Sequence, residues 1–583
     1  MRLIALAALA AATLAAPAHA ETAREYFVAR LAQDAVPSQL SPSDNVFYRQ
    51  LFDAIDAQRW GDVESMIAQR PDGLLTGVAR AEYYTHANSP RAELPQILDW
   101  LDRHRTLPQA AQLSRLGTTR GATSLPSLPT ERDLNRQGST PIRTRPRSIS
   151  DGTMPSDVSS AIDDAIKNDD PDRARLLLDG VSGFLSADAR TEWQQKVAWS
   201  YFIENRDPQA LAMARIAQQG SGPWAAEADW TAGLAAWRLN DCAGAGQAFQ
   251  QAGYRATNPE LRAASYYWAS RAALRCRQPD VSAKMLETAS GASETLYGML
   301  AAEALGRDLP ETHGNADFNA EDWRRLSRIE NVRIAAALME VGRDVLSSQV
   351  LIHQAKIGDP DDYEPLSRLA RELGMPQTQL FMAYNAPRGG RADPSSRYPA
   401  PKWAPLDGWK VDPALAYAHI LQESAFRASA VSPAQAQGLM QITPITVREH
   451  APRLNMSSNV DIFDPRVNLA FGQRNLEMLR DDPATQGRLP KIMAAYNAGL
   501  TPIRRWEYEI KDQDDPLLYM EAIPYWETRG YVAIVTRNYW MYERQANAQS
   551  PSREALAANR WPLFPGVQGG SGNGRAYMAA ERN

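Results

Sequence analysis

Turn signals recur at a near-constant spacing through the middle of the chain. Residues 156–390 are rich in Ala, Leu and Arg with helical periodicity, and short breaks begin at Asn168, Asn205, Asn240 and Arg277. Their spacing of about 36 residues is close to the period of helix–turn–helix solenoids. Because one such unit cannot bury its apolar face alone, neighbouring units must stack. We therefore predict an α-superhelix for this region.

Composition narrows the classes of function. The chain has 583 residues, of which 44% are hydrophobic and 22% charged, as is typical of a soluble globular protein. Its net charge of −5 gives no overall basic field, so we expect no nucleic-acid partner. None of the seven histidines falls in an HExxH pair, and P-loop and GxSxG motifs are absent from the sequence. We therefore expect no metal and no cofactor.

The N-terminus has the pattern of a secretory signal peptide. Arg2 precedes an apolar run of 14 residues, and Ala18-His19-Ala20 supplies a small-x-small cleavage site. An uncleaved anchor is the alternative, but the run is shorter than the ~20 residues that span a bilayer. We expect cleavage after Ala20 and a periplasmic location.

Export also permits disulfide formation. Cys242 and Cys276 are the two cysteines of the chain and thus the candidates for a bridge. Two buried free thiols are the alternative, because sequence does not show whether the two Cα atoms come close.

Changes in composition divide the chain into units. No Phe, Tyr or Trp occurs between Trp100 and Phe184, and much of this gap is rich in Pro, Ser, Thr and Arg, which predicts a flexible linker. A second Gly- and Pro-rich stretch precedes residue 406, and GGSGNG at 569–574 lies in a polar tail. The predicted units are a signal peptide (1–20), an N-terminal helical segment (21–115), the flexible linker (116–155), the α-superhelical domain (156–390), a linker (391–405), a compact domain (406–546) and the tail (547–583).

The compact domain begins with a helix that carries a candidate acid. Asp412 and Pro413 are good N-cap and first-turn residues, and the segment LAYAHILQESAF continues the helix. Glu423 lies in its last turn, where burial and the helix dipole both favour the neutral carboxylic acid. Such an acid can protonate a glycosidic oxygen near neutral pH. A charged His419 one turn earlier would lower the pKa of Glu423, so we interpret His419 as a structural or cleft-rim residue.

Three further motifs follow this helix. They are GLMQITP at 438–444, AAYNAG at 494–499 and E-IPY-ETR-YV between residues 521 and 532. Together with ES-AF at Glu423, their order and spacing resemble the soluble lytic murein transglycosylases, whose catalytic domain is similar to goose-type lysozyme. The segment ETLYGMLA at 294–301 resembles the part of that family's superhelix that leads towards the catalytic domain.

The resemblance implies roles for individual residues. Glu423 matches the catalytic acid. Residues that match the family's substrate-binding positions are Ser424, Gly438, Met440, Gln441, Tyr496, Asn497, Glu521 and Tyr525. Gln435 departs from the pattern, because the family usually has a glycine there, which would allow a positive φ. The conformation of the loop at Gln435 is therefore left open.

The resemblance also implies an activity. It predicts a lyase that cleaves the MurNAc–GlcNAc β-1,4 bond of peptidoglycan without water and leaves 1,6-anhydro-MurNAc ends. Glu423 would act first as acid and then as base, since the motifs offer no clear second carboxylate of the kind that ordinary glycosidases use. A lysozyme-type hydrolase and a superhelical scaffold with an inactive catalytic domain are the alternatives.

The expected fold and partners follow from the same resemblance. We expect a mainly α protein with a U- or ring-shaped α-superhelix followed by a lysozyme-like, mostly helical catalytic domain. The expected partners are peptidoglycan glycan strands, with peripheral association with cell-wall or membrane complexes as a further option. We expect a monomer.

Overall fold

The computed structural model describes residues 22–309, 317–391 and 394–566. The predicted signal peptide and the GGSGNG segment lie outside the described residues. Within them the regular structure is helical, apart from one two-stranded sheet and isolated bridges. The mainly α class predicted from the sequence is confirmed. No helix in the described ranges is both long enough and apolar enough to cross a membrane.

The helices before the superhelical region are α1 (Ala23–Arg30), α2 (Pro42–Asp56), α3 (Trp60–Gln69), α4 (Thr76–Thr85), α5 (Leu94–His104) and α6 (Ala110–Thr119). The next group is α7 (Ser156–Lys167), α8 (Pro171–Val181), α9 (Ala187–Ile203), α10 (Asp207–Ala217), α11 (Trp224–Arg238), α12 (Cys242–Arg255), α13 (Pro259–Arg275), α14 (Pro279–Ser290) and α15 (Leu296–Ala304). It is followed by α16 (Ala320–Leu326), α17 (Glu330–Glu340), α18 (Asp344–Ile357), α19 (Tyr363–Glu372) and α20 (Pro376–Tyr384).

The C-terminal region contains α21 (Pro413–Glu423), α22 (Pro444–His450), α23 (Pro465–Asp481), α24 (Leu489–Ala498), α25 (Leu500–Glu509), α26 (Pro516–Ala522), α27 (Trp526–Gln545) and α28 (Pro551–Ala557). Single 3-10 turns lie at Pro360–Asp362, Pro394–Arg397 and Ala451–Leu454. The two strands are β1 (Leu134–Arg136) and β2 (Asn385–Pro387), which pair antiparallel with Leu134 opposite Pro387.

The repeat in the middle of the chain is a stack of helix pairs. Each helix from α9 to α14 packs against the next one along the chain. The helices α7, α9, α11 and α13 are each followed by a residue in the left-handed region, namely Asp169, Asn205, Asn240 and Arg277, with φ between 57° and 61°. Asn and Asp tolerate this conformation better than most residues because their side chains hydrogen-bond locally. The predicted helical repeat is therefore correct, and its turns lie where the sequence placed them.

A disulfide joins two consecutive helices of this stack. Cys242 is the first residue of α12 and Cys276 follows the last residue of α13, and the two Cα atoms are 5.7 Å apart. Of the two alternatives that the sequence allowed, the structure has the bridge.

The described residues form two hydrophobic cores rather than a row of separate domains. One core contains α2–α6 together with α16–α20. The other contains α1, α7–α15 and the C-terminal helices. Polar contacts support the first core, since the Asn331 amide donates to the Thr106 carbonyl at 2.8 Å and Arg343 pairs with Asp53 and Asp56. The N-terminal helical segment therefore packs on the end of the predicted superhelical domain.

The first helix instead packs on the C-terminal domain. The Phe27 ring contacts the rings of Tyr417 and Tyr542 edge-on, with centroids 5.5 and 6.2 Å away. The Arg30 guanidinium donates to the Ala400 carbonyl at 3.0 Å. Helix α1 thereby covers apolar surface beside α21, the helix that carries the predicted acid.

The segment 116–155, which we expected to be a flexible linker, follows a defined course. Beyond β1 it lies against the superhelix, where Arg143 pairs with Glu227 at 2.8 Å and the Trp224 indole donates to the Arg147 carbonyl at 3.0 Å. The sequence pattern was misleading because this segment has few apolar side chains of its own. Its arginines and backbone find fixed partners on the neighbouring helices instead.

The other predicted linker and the start of the tail are also packed. Between 394 and 405, Tyr398 and Ala400 are buried, and the Tyr542 hydroxyl donates to the Pro399 carbonyl at 2.7 Å. In the tail, α28 is followed by a stretch whose Pro562 carbonyl accepts a hydrogen bond from the Leu489 amide. The compact C-terminal domain therefore extends past residue 546 to at least residue 564.

Candidate active site

The end of α21 holds the candidate acid Glu423. As predicted, Asp412 caps this helix, accepting a hydrogen bond from the Ala414 amide at 2.9 Å, with Pro413 in the first turn. Helix α21 packs along α27, which brings Tyr531 against the last turn of α21. The Tyr531 hydroxyl donates to Glu423 Oε1 at 2.6 Å.

The pKa of Glu423 is raised to about 7, mainly because burial penalises the carboxylate. The hydrogen bond from Tyr531 opposes this shift, since it stabilises the charged form, and the nearby negative charge of Glu527 adds to it. A large fraction of Glu423 therefore keeps its proton at neutral pH. A carboxylic acid in this state can donate that proton to a substrate oxygen.

His419 lies beneath this pair and is fully buried. Its Nδ1 is 2.7 Å from the Tyr531 hydroxyl, and burial lowers its pKa to about 3, so the ring is neutral. A tyrosine hydroxyl has one proton to donate. When that proton points to Glu423, the hydrogen between His419 and Tyr531 must lie on Nδ1. His419 is thus a structural residue that orients Tyr531.

The GLMQ segment forms a tight loop beside the acid. Gly438 has φ of 74°, and a Cβ at this position would lie 2.1 Å from the amide nitrogen of Asn468. Asn468, a buried residue of α23, accepts from the Met440 amide at 2.8 Å and donates to the Gln437 carbonyl at 3.0 Å. Only glycine fits here, because the asparagine that holds the loop occupies the space of a side chain.

Two glutamines in this loop adopt left-handed backbone conformations. Gln435 has φ of 62° and Gln441 has φ of 50°. The Gln441 side chain donates to the Gly438 carbonyl at 2.9 Å and so closes the turn. Gln435 therefore takes the conformation that a glycine would favour, which answers the question left open by the sequence.

Tyr496 and Asn497 form the facing wall. The Tyr496 hydroxyl donates to the Met440 carbonyl at 2.8 Å, and its ring lies 4.6 Å from that of His419. Burial and the charge of Glu423 raise the Tyr496 pKa. The Asn497 side chain accepts from the Thr528 hydroxyl at 2.6 Å. This wall is therefore held by hydrogen bonds to the loop on one side and to α27 on the other.

Three residues expected to bind substrate are placed differently. Ser424, which directly follows α21, is 2% exposed, and its hydroxyl donates to the Ile420 carbonyl of that helix. Met440 is fully buried, and its carbonyl is occupied by the hydrogen bond from Tyr496. Glu521 accepts a hydrogen bond at 2.6 Å from Tyr297 of the superhelix. Ser424 and the Met440 side chain thus support the site from beneath, and Glu521 belongs to a domain junction.

Tyr525 is the most accessible of the expected residues. It is 44% exposed, and its ring meets Trp506 edge-on with centroids 5.0 Å apart. An aromatic side chain that is fixed on one edge and open on the other is well suited to contact a sugar ring.

Sequence reasoning missed Tyr531, Thr528 and Glu527, although all three occur in the quoted ETR-YV motif. The spacing of Thr528 and Tyr531, three residues apart, placed them on one face of a helix and was an available signal. Asn468 was also missed, since nothing in its local sequence distinguishes it. Among the described residues, no cluster of three or more His, Cys, Asp or Glu side chains is arranged to bind a metal ion.

Comparisons with known proteins agree with this site. Residues 404–518 match the family model described as "Transglycosylase SLT domain". A stretch of 154 residues is 32% identical to the "Putative soluble lytic murein transglycosylase" of Haemophilus influenzae and covers 25% of each chain. The "Soluble lytic murein transglycosylase" of Escherichia coli K12 is 31% identical over 157 residues, which are 26% of this chain and 24% of that relative. The matched stretch thus spans about a quarter of these curated relatives.

A solved structure is similar over a greater length. It is a complex of the 70-kDa soluble lytic transglycosylase with bulgecin A, and it matches with a TM-score of 0.55 and 18% identity over 90% of this chain and 100% of the other. This likeness concerns the fold, and it confirms the predicted class of a helical superhelix followed by a lysozyme-like domain. The resemblance read from the four motifs is likewise confirmed by the domain match.

Proposed function

We propose that this chain, which carries a transglycosylase SLT domain at 404–518, is a lytic transglycosylase of peptidoglycan. It cleaves the MurNAc–GlcNAc β-1,4 bond and leaves 1,6-anhydro-MurNAc ends. The observation that carries the proposal is Glu423, whose pKa of about 7 lets it hold a proton at neutral pH beside the loop and wall formed by the family motifs.

The first step uses Glu423 as an acid. Its O–H proton goes to the glycosidic oxygen, the C1–O bond of MurNAc breaks, and GlcNAc leaves with a free C4 hydroxyl. The 2-acetamido oxygen of MurNAc bonds to C1 and spreads the positive charge into an oxazolinium ring. The Tyr531 hydroxyl, which already donates to Oε1, stabilises the carboxylate that remains.

The second step uses the same residue as a base. The Glu423 carboxylate takes the proton of the C6 hydroxyl, the C6 oxygen bonds to C1, and the bond from the acetamido oxygen to C1 breaks. Glu423 is protonated again, and no water is consumed. A pKa near 7 suits both steps, because the proton is neither too tightly nor too weakly held.

The remaining site residues bind the sugar in this proposal. Tyr525 offers the open part of its ring, Asn497 its side-chain NH₂ group, and Gln441 its side-chain carbonyl. The expected signal peptide would place the enzyme in the periplasm, where its substrate lies.

A hydrolase is the second candidate, and Glu527 is the observation that favours it. This residue is exposed, and its charge reaches Glu423 strongly enough to raise the pKa of the acid. A second carboxylate near the scissile bond could activate water, as in ordinary glycosidases.

Product analysis separates the two candidates. Sacculi digested by the wild-type chain in ¹⁸O-water should release muropeptides without label at the new ends, ~18 Da lighter than hydrolytic products, which is the mass of the water that a hydrolase adds. Stoichiometric ¹⁸O at the reducing end would show hydrolysis. If the enzyme is a hydrolase, Glu527→Gln should abolish its activity. If it is a lyase, the same variant should keep most of the wild-type activity.

The acid itself is tested by Glu423→Gln. Loss of a general acid costs ~10²–10⁴ in rate, and a group used in both steps should reach the upper end of that range. Glu554→Gln, at an exposed position on α28, is the matched control and should leave the rate unchanged. Glu423→Gln should also melt no lower than wild type, since it removes a carboxyl group whose charged form is penalised by desolvation. More than about a tenth of wild-type activity in this variant would disprove the role of Glu423.

A further inference from the structure

A second cavity lies where the superhelix meets the catalytic domain. It has a volume of about 50 Å³ between α13 and α15 on one side and α26 and α27 on the other. Residues that line it include Arg143, Glu260, Tyr297, Glu521, Trp526 and Arg529. A single water needs ~10–15 Å³ of cavity volume, so the cavity has room for a group of several heavy atoms.

This cavity is separate from the Glu423 site. Thr528 and Tyr531 lie on the face of α27 that meets the acid and its facing wall. Trp526, Arg529 and Ala533 lie on another face of the same helix and line the cavity. Helix α27 therefore lies between the Glu423 site and the cavity.

Arg529 makes no close ion pair among the described residues, although the Glu521 carboxylate acts on its charge. Its Nε donates to the Ile523 carbonyl at 3.1 Å, and its guanidinium lies 4.2 Å from the Trp199 ring and 5.3 Å from the Trp526 ring. Its Nη2 is buried and has no hydrogen-bond partner among the described residues. The Glu521 and Glu227 carboxylates favour the charged form of Arg529 from a distance, without a hydrogen bond to it. Burial lowers its pKa to about 9, and the charge of Glu521 opposes this shift only in part.

A second arginine contributes another open donor. Arg143 pairs with Glu227 at 2.8 Å, while its Nε is buried without a partner in the described structure. Arg145, two residues on, stacks over the Trp526 ring at 4.4 Å and adds positive charge nearby. Both come from the segment that the sequence suggested was a loose linker.

The neighbouring acids are already engaged. Glu227 pairs with Arg143, and Glu260 lies 3.5 Å from Arg537. Glu521 accepts the hydroxyl of Tyr297. Burial raises the pKa of Glu260 to about 7, so this residue carries a reduced negative charge at neutral pH. These glutamates keep negative charge close to the arginines, and what the cavity offers in excess is the open N–H groups of Arg529 and Arg143.

We propose that this cavity binds a carboxylate, which Arg529 and Arg143 hold through their open N–H groups. A guanidinium matches the two oxygens of a carboxylate, and such hydrogen bonds are stronger than neutral ones. A phosphate dianion fits less well, because it would bring twice the charge close to Glu227, Glu260 and Glu521. The carboxylate belongs either to a peptide stem of peptidoglycan or to a free small molecule.

Calorimetric titration of the full chain with sodium acetate at pH 7 tests the site, with sodium chloride at the same ionic strength as the reference. Wild type should bind acetate saturably. Arg529→Gln should weaken binding about ten- to hundredfold, the usual cost of losing a charge-assisted hydrogen bond. Arg504→Gln, which removes an arginine that is 61% exposed on α25, is the matched control and should bind as wild type does.

A second variant separates loss of the binding site from loss of the fold. Ala533→Leu fills the cavity and keeps every arginine, so it should also abolish acetate binding while its circular dichroism stays that of wild type. Absence of saturable acetate binding in wild type would mean that water alone fills the cavity and would overturn the proposal. Wild-type binding by both Arg529→Gln and Ala533→Leu would overturn it as well.

The source of the carboxylate is a separate question that rests on the proposed function. In Glu423→Gln, acetate should compete with MurNAc fragments that carry stem peptides and should not compete with fragments stripped of peptide. If acetate binds but competes with neither, the site serves a free carboxylate. Since the acetate titration needs no turnover, its failure is distinguishable from a failure of the lyase proposal.

Discussion

Glu423, Tyr531 and His419 form a short hydrogen-bonded chain in which each residue has a different task. Glu423 exchanges protons, Tyr531 stabilises its charged form, and His419 holds the Tyr531 hydroxyl in place. Burial alone would push the pKa of the acid further up. The Tyr531 hydrogen bond opposes that effect, and the balance leaves the pKa near neutrality.

Replacing Tyr531 by Phe should therefore move the pH profile. The lost hydrogen bond stabilised the carboxylate, so the pKa of Glu423 should rise. Activity that needs the protonated acid falls as pH rises through this pKa. The falling limb of kcat/KM on peptidoglycan should thus shift upwards by about one to two pH units, the equivalent of a hydrogen bond to a charged group. Tyr508→Phe, at a position that is 89% exposed, should leave the profile unchanged. A shift to lower pH would contradict the assignment.

Gln435 carries backbone strain that glycine would relieve. A non-glycine residue at φ of 62° destabilises the folded state by roughly 1–2 kcal/mol. Glycine removes this strain, but its greater conformational entropy in the unfolded chain offsets part of the gain. Gln435→Gly should raise the free energy of unfolding by about 0.5–1 kcal/mol in urea denaturation. Gln435→Ala keeps the strain and should give no gain. A glycine variant less stable than wild type would mean that the glutamine side chain makes a compensating contact.

The turns between helices of the superhelix contain polar residues that cap the following helix. Asp170, Asp241 and Asn258 accept hydrogen bonds from the first turns of α8, α12 and α13. These caps satisfy amide groups that a helix start leaves without partners. Asp170 and Asp241 lie in the breaks that the sequence predicts to begin at Asn168 and Asn240.

The Cys242–Cys276 bridge should stabilise this stack. It closes a loop across a sequence separation of 34 and thus restricts the unfolded chain. The double variant Cys242→Ser, Cys276→Ser should lose roughly 2–4 kcal/mol of unfolding free energy. Wild type measured in a reductant should approach the same value, which controls for the serine side chains. Equal denaturation midpoints for the bridged and unbridged proteins would contradict this expectation.

Over the whole molecule, distant parts of the chain share each core. Helix α1 packs on the catalytic domain, whereas α2–α6 pack on α16–α20. The chain therefore crosses between its two cores more than once. Loss of a packing contact near residue 27 should destabilise the structure close to the active site, since α1 contacts α21.

Phe27→Ala tests this connection. The ring is 3% exposed between Tyr417 and Tyr542, and truncation of a buried phenylalanine costs about 3–5 kcal/mol. We expect a lower melting temperature and loss of activity at a lower temperature than in wild type. Phe184→Ala removes a ring that is 82% exposed and should change neither. An unchanged melting temperature for Phe27→Ala would show that α1 is not part of the cooperative unit.

Local chemistry accounts for what could be predicted from the sequence. The repeat turns, the Asp412-Pro413 helix start and the position of Glu423 at the end of α21 all depend on residues within a few positions of one another. Caps, left-handed turns and helical periodicity act over such distances, and the order of four motifs identified the domain without any tertiary contact.

Features that depend on packing between distant segments could not be predicted in this way. The hydrogen bond between Tyr531 and Glu423 joins residues 108 positions apart in the sequence. The one between Tyr297 and Glu521 joins residues 224 positions apart. The path of 116–155 and the choice of a bridge over free thiols belong to the same class. The pKa of Glu423 does too, because desolvation is produced by side chains from several helices at once. Sequence named the acid, but only close packing of α21 on α27 makes it hold its proton at neutral pH.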